Sequence, residues 1–365
     1  MTLENFYPAE TGALLAAIQS ALQAALTEAQ KYCGATAPNP PVGAAALDAH
    51  GNFLSVQAHQ RAGTPHAEAL VLTDCKMRGI LSQIHTLVVT LEPCNHTGKT
   101  PPCTHAIIQA QIPRVVYACS DPNPNVAGGG AAALEKAGVQ TFSLSQLLQN
   151  SQIPNPPELS ALKKDCERLI APFVQWSQTG LPWVTVKQAF TTDGSMIPPT
   201  GQKTFTSASS LKLAHELRKR ADAILTGSGT VLADRPEFTV RHVPDHPGKR
   251  RWILVMDRRG RVVSQAADWV QDLESKGFYL KFWDGDLEGA LRFLGEQGVV
   301  EVLVEAGPHL SAHVLGTEPG TPNAGCGFWN QNVVIGQSSN HKNDQVEVKN
   351  HVHWNHSKSG KSRSP

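Results

Sequence analysis

Pro65-His66-Ala67-Glu68, then Pro93-Cys94, then Cys103 are the stretches on which the reading of this chain turns. One imidazole and two thiolates fill three of the four positions of tetrahedral Zn²⁺ and leave the fourth to water. A carboxylate two residues beyond the ligating histidine can move that water's protons without binding the metal itself. His66, Cys94 and Cys103 are therefore the expected metal ligands and Glu68 the expected catalytic acid–base. The bland alternative is a closed structural site, which needs a fourth protein ligand; His96 and His105 are the available residues. H-x-E alone is frequent on solvated helices, and it is the cysteines that give it chemical meaning.

The order H-x-E, then P-C, then a second cysteine matches the general pattern of zinc nucleobase deaminases. There is one departure: eight residues, Asn95 to Pro102, separate the cysteines. Pro93 suits the first turn of a helix, which would place Cys94 at a helix N-terminus where unpaired N–H groups stabilise a thiolate. The intervening loop is polar, carries Gly98 and Lys99, and is suited to wrapping a phosphorylated substrate.

Outward from the motif, 365 residues suit two domains of roughly 150 each. Lys+Arg 32 against Asp+Glu 31 leaves a formal charge of +1, so no global field draws the chain to nucleic acid or to an anionic membrane. Recognition must be local, as of a small molecule. Residues 1–13 hold Glu4 and Glu10 and no Lys or Arg, and no apolar run reaches the roughly 18 residues of a membrane span. Seven cysteines without disulfide spacing fit a reducing compartment, two on metal and five as small core residues, and the expected location is cytoplasmic.

Periodicity predicts a helix over Thr11 to Tyr32 and an antiparallel pair, Val42 to Leu47 with Phe53 to Val56. A helix opened by His66 follows, then a strand Thr86 to Thr90, a helix Cys103 to Gln111 and a strand Arg114 to Ala118. This alternation is that of an α/β sheet.

Further phrases carry a family resemblance over most of residues 10 to 145. Ala37-Pro38-Asn39-Pro40-Pro41-Val42-Gly43, His59-Gln60-Arg61-Ala62-Gly63, Thr90-Leu91-Glu92-Pro93-Cys94, Gly98-Lys99-Thr100-Pro101-Pro102-Cys103 and Asp121-Pro122-Asn123-Pro124 resemble the bifunctional riboflavin-biosynthesis deaminase–reductases. That family uses the eight-residue gap between the cysteines. The resemblance implies a cytidine-deaminase-like three-layer domain over residues 1–150. It also implies hydrolytic removal of the 2-amino group from 2,5-diamino-6-ribosylamino-4(3H)-pyrimidinone 5′-phosphate, with Zn²⁺ as cofactor. Matching positions make Asn39, His59, Lys99 and Asn123 substrate contacts.

Prolines 154, 156 and 157 mark a connector, and residues 151–180 read as that connector plus a helix, Leu159 to Phe173. Strands are expected at Trp183 to Ala189, Ala223 to Thr226, Trp252 to Met256, Phe278 to Phe282 and Glu301 to Val304. Val186-Lys187-Gln188-Ala189 with Asp193-Gly194, the run from Ala223 to Asp234, and Val304-Glu305-Ala306-Gly307-Pro308 resemble the reductase domain of the same family, whose fold is similar to dihydrofolate reductase. The resemblance implies NADPH-dependent reduction of 5-amino-6-(5-phosphoribosylamino)uracil to the ribitylamino product. By position, Ala189, Thr230, Asp234 and Gly307 would line the cofactor, and Arg218, Phe238, Arg241 and Glu305 would contact the substrate. Gly227-Ser228-Gly229 lacks the full G-x-G-x-x-G spacing, and its glycines read better as room for close backbone approach.

Two departures stand out. The family's tryptophan in the segment equivalent to Gly201 to Ser207 has no counterpart here. After Leu315 the family pattern stops, so residues 181–316 read as an incomplete reductase domain. Residues 317–365, rich in Asn, Gly, Ser, His and Lys, read as a disordered tail in which only Val333 to Ile335 is strand-like. Missing late strands would expose a sheet edge and favour self-association into a homo-oligomer. Three other readings stay open: a deaminase with an inert second domain, a base deaminase of the transfer-RNA-editing type, and a structural zinc module that binds a partner. The absence of a basic, aromatic-interleaved surface speaks against nucleic acid.

Overall fold

The computed structural model describes residues 11–97, 101–122, 129–149, 157–197, 201, 204–317, 327–337 and 344–351. It separates into two compact units, Met1–Thr179 and Gly180–Pro365.

In the first unit, α1 (Thr11–Gln30) precedes β1 (Gly43–Leu47), β2 (Phe53–Ala58), α2 (Ala67–Met77), β3 (Thr86–Leu91), α3 (Cys103–Gln109), β4 (Arg114–Cys119), α4 (Gly129–Lys136), β5 (Gln140–Ser143), α5 (Leu144–Gln149) and α6 (Pro157–Thr179). The sheet order is β2-β1-β3-β4-β5, with β1 antiparallel to both neighbours and β3, β4 and β5 parallel. Alternation along each strand feeds two cores. Ala45, Leu47, Val88 and Val116 pack under α1, α5 and α6, while Ala44, Ala46, Leu87, Val89 and Val115 pack under α2, α3 and α4. This is the three-layer arrangement the resemblance implies. Gly43 sits where a Cβ would meet the Ala25 carbonyl oxygen at 1.9 Å, so only glycine lets β1 lie this close to α1.

The helix expected as a connector has a larger part. Leu159, Leu162, Cys166, Leu169 and Ile170 of α6 are buried in the core under α1, so residues 157–179 complete the third layer of the first unit.

The second unit contains β6 (Trp183–Phe190), α7 (Ala208–Arg220), β7 (Ala223–Gly227), α8 (Ser228–Asp234), β8 (Trp252–Met256), α9 (Arg261–Gln265), α10 (Ala267–Ser275), β9 (Tyr279–Trp283), α11 (Leu287–Glu296), β10 (Glu301–Val304), α12 (Pro308–Leu315), β11 (Gln331–Gly336) and β12 (Gln345–Asn350). Its seven-stranded sheet runs β12-β11-β6-β10-β7-β8-β9, parallel except for β12. The five strands expected from pattern are all present.

The expected disordered tail is corrected over residues 331–336 and 345–350. β11 pairs along its whole length with β6, and Val333 and Ile335 are 2% and 1% exposed. Three apolar residues suffice there because the neighbouring strand and the core already exist; the strand adds its backbone to a formed template. Asn330 anchors the entry, its side-chain oxygen accepting the Val184 N–H at 2.9 Å. The sheet is thus not cut short at residue 316. The remaining tail, 338–343 and 352–365, with His353 and His356, lies outside the described residues, as do residues 318–326.

Candidate active site

His66 caps α2 with extended backbone, which puts its ring at the helix start and Glu68 in the first turn. The expectation for Cys94 is corrected in detail. Residues 93–95 are loop, and it is Cys103 that begins a helix, with Pro102 as its cap. The helix N-terminus still reaches Cys94, because the Cys103 N–H donates to Cys94 Sγ at 3.4 Å.

The three expected ligands converge. His66 Nδ1 lies 3.5 Å from Cys94 Sγ and 3.3 Å from Cys103 Sγ, and the three ligand atoms all fall within 4.8 Å of one another. Bonds of about 2.0–2.1 Å to nitrogen and 2.3 Å to sulfur in a tetrahedron require N···S separations of about 3.5 Å, so the donor set fits Zn²⁺. Among the described residues no fourth ligand joins this group, which leaves the arrangement open as in a catalytic site. A hydrogen bond with the Cys103 thiol, opposed by burial and aided by His66, brings the Cys94 thiol down, while the same interaction pushes Cys103 up. His66 is raised, first by its bond to Cys94 and against its burial.

Glu68 is 3% exposed and stands beside the ligands without joining them. Burial, then the charge of Cys94, pushes its carboxyl up to about 7, where it exchanges protons at neutral pH. His59 lies edge-on to His66 with ring centroids 5.1 Å apart. Its Nδ1 is 3.1 Å from the Pro65 carbonyl oxygen and must donate there, so Nε2 accepts from Asn39 Nδ2 at 3.4 Å. Burial lowers its pKa and keeps the ring neutral.

Asn39, His59, His66, Glu68 and Cys94 face one cavity of about 340 Å³. Of the expected substrate contacts, Lys99 and Asn123 lie outside the described residues. Three residues that sequence reasoning passed over also line the cavity: Glu92, Phe173 and Trp176. Glu92 is 3% exposed, and its carboxylate accepts the N–H groups of Asp121 and Ala131 at 3.2 and 3.0 Å. It thereby ties the loop after β4 and the start of α4 to the cysteine loop. A carboxylate directly before Pro-Cys was its only signal in the sequence.

In the second unit, β7 and β10 are parallel neighbours, and the C-terminal ends of such strands are the usual ligand position in an open sheet. Thr230 Oγ1 accepts the Gly307 N–H at 3.1 Å, which joins two of the expected cofactor residues. Gly307 caps α12 and Gly227 caps α8, so N–H groups of two helices face this region. Nearby, Arg261 Nη2 donates to Ser228 Oγ at 3.0 Å while its buried Nε has no hydrogen-bond partner. An orphaned guanidinium nitrogen beside helix N-termini fits the phosphates of NADPH. Ala189 is on β6 opposite Ile335, and Asp234 is exposed at the end of α8.

The expected substrate residues divide. Arg218 and Glu305 form a bidentate pair, with both N···O distances 2.7 Å, and Arg218 also donates to the Thr239 carbonyl. Arg241 is exposed, bonds the Glu237 carboxylate, and gives its backbone N–H to His215 Nδ1 at 2.9 Å. Glu305 thus occupies the fork of Arg218, and Arg241 pairs separately with Glu237. The Phe238 ring is 1% exposed and edge-on to Trp269 in the core, and its φ of 52° places its backbone in the left-handed region.

Comparison with known proteins agrees with both halves. Residues 16–119 match the model for the cytidine and deoxycytidylate deaminase zinc-binding region, and residues 182–317 match the RibD C-terminal domain. The riboflavin biosynthesis protein RibD of Mycobacterium tuberculosis is 38% identical over 299 residues, spanning 82% of this chain and 81% of that protein. The Aquifex aeolicus protein of the same name is 34% identical over 304 residues, 79% of this chain and 80% of its own length. Among solved structures, a Thermotoga maritima deaminase/reductase aligns with a TM-score of 0.71 at 26% identity, covering 90% of this chain and 89% of that one. Acinetobacter baumannii RibD aligns at 0.69 and 27%, with 89% and 88% covered. With a zinc-deaminase unit and a reductase unit in one chain, and relatives above 30% identity over most of its length, the chain belongs to the RibD family of riboflavin-biosynthesis proteins.

Proposed function

We propose that Glu68 is the proton carrier and that His66, Cys94 and Cys103 are the zinc ligands of the deaminase reaction of riboflavin synthesis. The substrate is a phosphorylated diaminopyrimidine, as the Thermotoga relative's name states for that protein. The observation that carries this is the convergence of one imidazole nitrogen and two sulfurs beside a buried carboxyl that is not among them. When bound, zinc supplies a water acidified to a pKa of about 7 and hence a nucleophile at neutral pH. Glu68 would carry two protons in turn at a carboxylate oxygen, the first from the attacking water to the ring nitrogen and the second from the new hydroxyl to the amino group that departs as ammonia. Asn39, held by the neutral His59, offers its amide to the pyrimidine edge. Lys99 and Asn123 are assigned to the substrate by their place in the motif.

The second unit is a reductase, and NADPH supplies the hydride when bound. Ala189, Thr230, Asp234 and Gly307 are assigned to the cofactor. Arg218 and Glu305 act as one rigid pair at the sugar, the exposed Arg241, paired with Glu237, is assigned to its phosphate, and Phe238 contributes its turned backbone. Among the described residues the sheet has seven strands, with β11 paired along β6 beyond residue 316, which favours this over an inert second domain. Ammonia release and NADPH oxidation, followed on one preparation given the diaminopyrimidine phosphate, test both reactions. Absent ammonia at stoichiometric zinc overturns the first, and absent oxidation after complete deamination overturns the second.

A further inference from the structure

We infer that Phe173 and Trp176, on the last turns of α6, form the wall on which the pyrimidine ring of the deaminase substrate lies. This rests on the deaminase reading of the cavity. Four residues of the same helix just before and beside them, Leu169, Ile170, Pro172 and Cys166, are buried as core. Phe173 and Trp176 are only half-buried, and both face the cavity that holds His66 and Glu68.

Their spacing of three residues puts them side by side on one helical face, with ring centroids 6.3 Å apart and planes tilted by 40°. Two large aromatic side chains lining the cavity of His66 and Glu68 are a recognition surface for another flat ring, since every base has a π-face to stack. The polar side of the pocket completes the match. Asn39, His59 and Glu68 address the hydrogen-bonding edge of a heteroaromatic ring, while the helix addresses its face. A ligand that carries only the sugar phosphate has no use for this wall. The geometry therefore assigns α6 to ring specificity in the first reaction as well as to the core.

The test is calorimetric binding of the diaminopyrimidine phosphate to full-length, zinc-loaded Glu68→Gln protein, with and without changes at the wall. Trp176→Ala should weaken binding about tenfold and Trp176→Phe by no more than about threefold, because Phe keeps a π-face. Phe173→Ala should act in the same direction as Trp176→Ala. Ribose 5-phosphate, which lacks the base, should bind the parent and Trp176→Ala proteins alike, and zinc content should not change. Unchanged affinity in both alanine variants, or equal losses for Trp176→Phe and Trp176→Ala, would overturn the proposal. Because binding is read without turnover, a wild-type protein that binds the ring through these residues yet releases no ammonia fails the deaminase reading and upholds the wall.

Discussion

The backbone N–H of Cys103 points at the sulfur of Cys94, 3.4 Å away, so the two cysteines proposed to hold zinc are already tied by the main chain. The eight-residue loop between them is closed at its base by this bond. Zinc then acts as a second clasp on the same loop. Its removal by a chelator should lower the unfolding temperature of the first unit and end ammonia release, because an ion that binds only the folded state stabilises it by mass action. NADPH oxidation with supplied deaminated substrate should persist. Unfolding scans with and without chelator check this; coincident curves would contradict it.

Glu68→Gln removes the proton carrier and keeps the shape of the side chain. Ammonia release should fall by about 10²–10⁴-fold, the usual worth of a general acid–base. Zinc content, measured by metal analysis, should match the parent protein. Loss of zinc would make Glu68 a ligand and not a carrier.

Gly130 is where α4 comes nearest the cysteine loop. A Cβ there would lie 1.9 Å from the Pro93 carbonyl oxygen and 3.3 Å from Glu92 Oε1. Gly130→Ala must displace the backbone next to Cys94, at a cost of roughly 1–3 kcal/mol from overpacking. Deaminase activity should drop at least tenfold by this route while reductase activity holds. Parallel assays of the two reactions check it, and equal losses would point to global unfolding instead.

Acid should loosen the second unit through Glu305. Burial alone would push this carboxyl up, but Arg218 and then Lys187 outweigh it and hold it at about 2. Since the folded pKa lies below the ordinary 4.5, the stabilisation is full above pH 4.5 and is lost as pH falls from there through about 2. The amount at neutral pH is on the order of 3 kcal/mol. Denaturant unfolding of the second unit should show this acid limb. Glu305→Gln should be less stable at neutral pH and should lack that part of the pH dependence.

The sequence was most legible where chemistry demands particular residue types. His66, Glu68, Cys94 and Cys103 were each in view because few other side chains hold zinc or shuttle a proton. Strands such as Thr86 to Leu91 were visible because a central strand buried on both faces is close to continuously apolar. What hid was whatever depends on a distant partner. Phe173 closed the apolar pattern of the expected helix and Trp176 lay beyond its expected end, until the longer α6 placed both beside the cavity. Phe238 looked available for a ligand until its ring was found against Trp269. Val333 to Ile335 was strand-like on its own but sat in a polar tail, and it becomes an ordered strand, Gln331–Gly336, because β6 offers it an edge.

That late strand also sets an order of events in synthesis. The Val184 N–H and the Asn330 side chain that accepts it are 146 positions apart, and β11 lies directly beside β6. Contacts of such long sequence separation form slowly, because a large loop must close first. As the chain leaves the ribosome, residues to Thr179 can collapse around their own sheet while β6 still waits for its neighbour. Until residue 336 emerges, that edge of β6 is open to chaperones and to other chains. A protein stopped before residue 331 would keep its deaminase half and leave the second half with a permanently sticky seam.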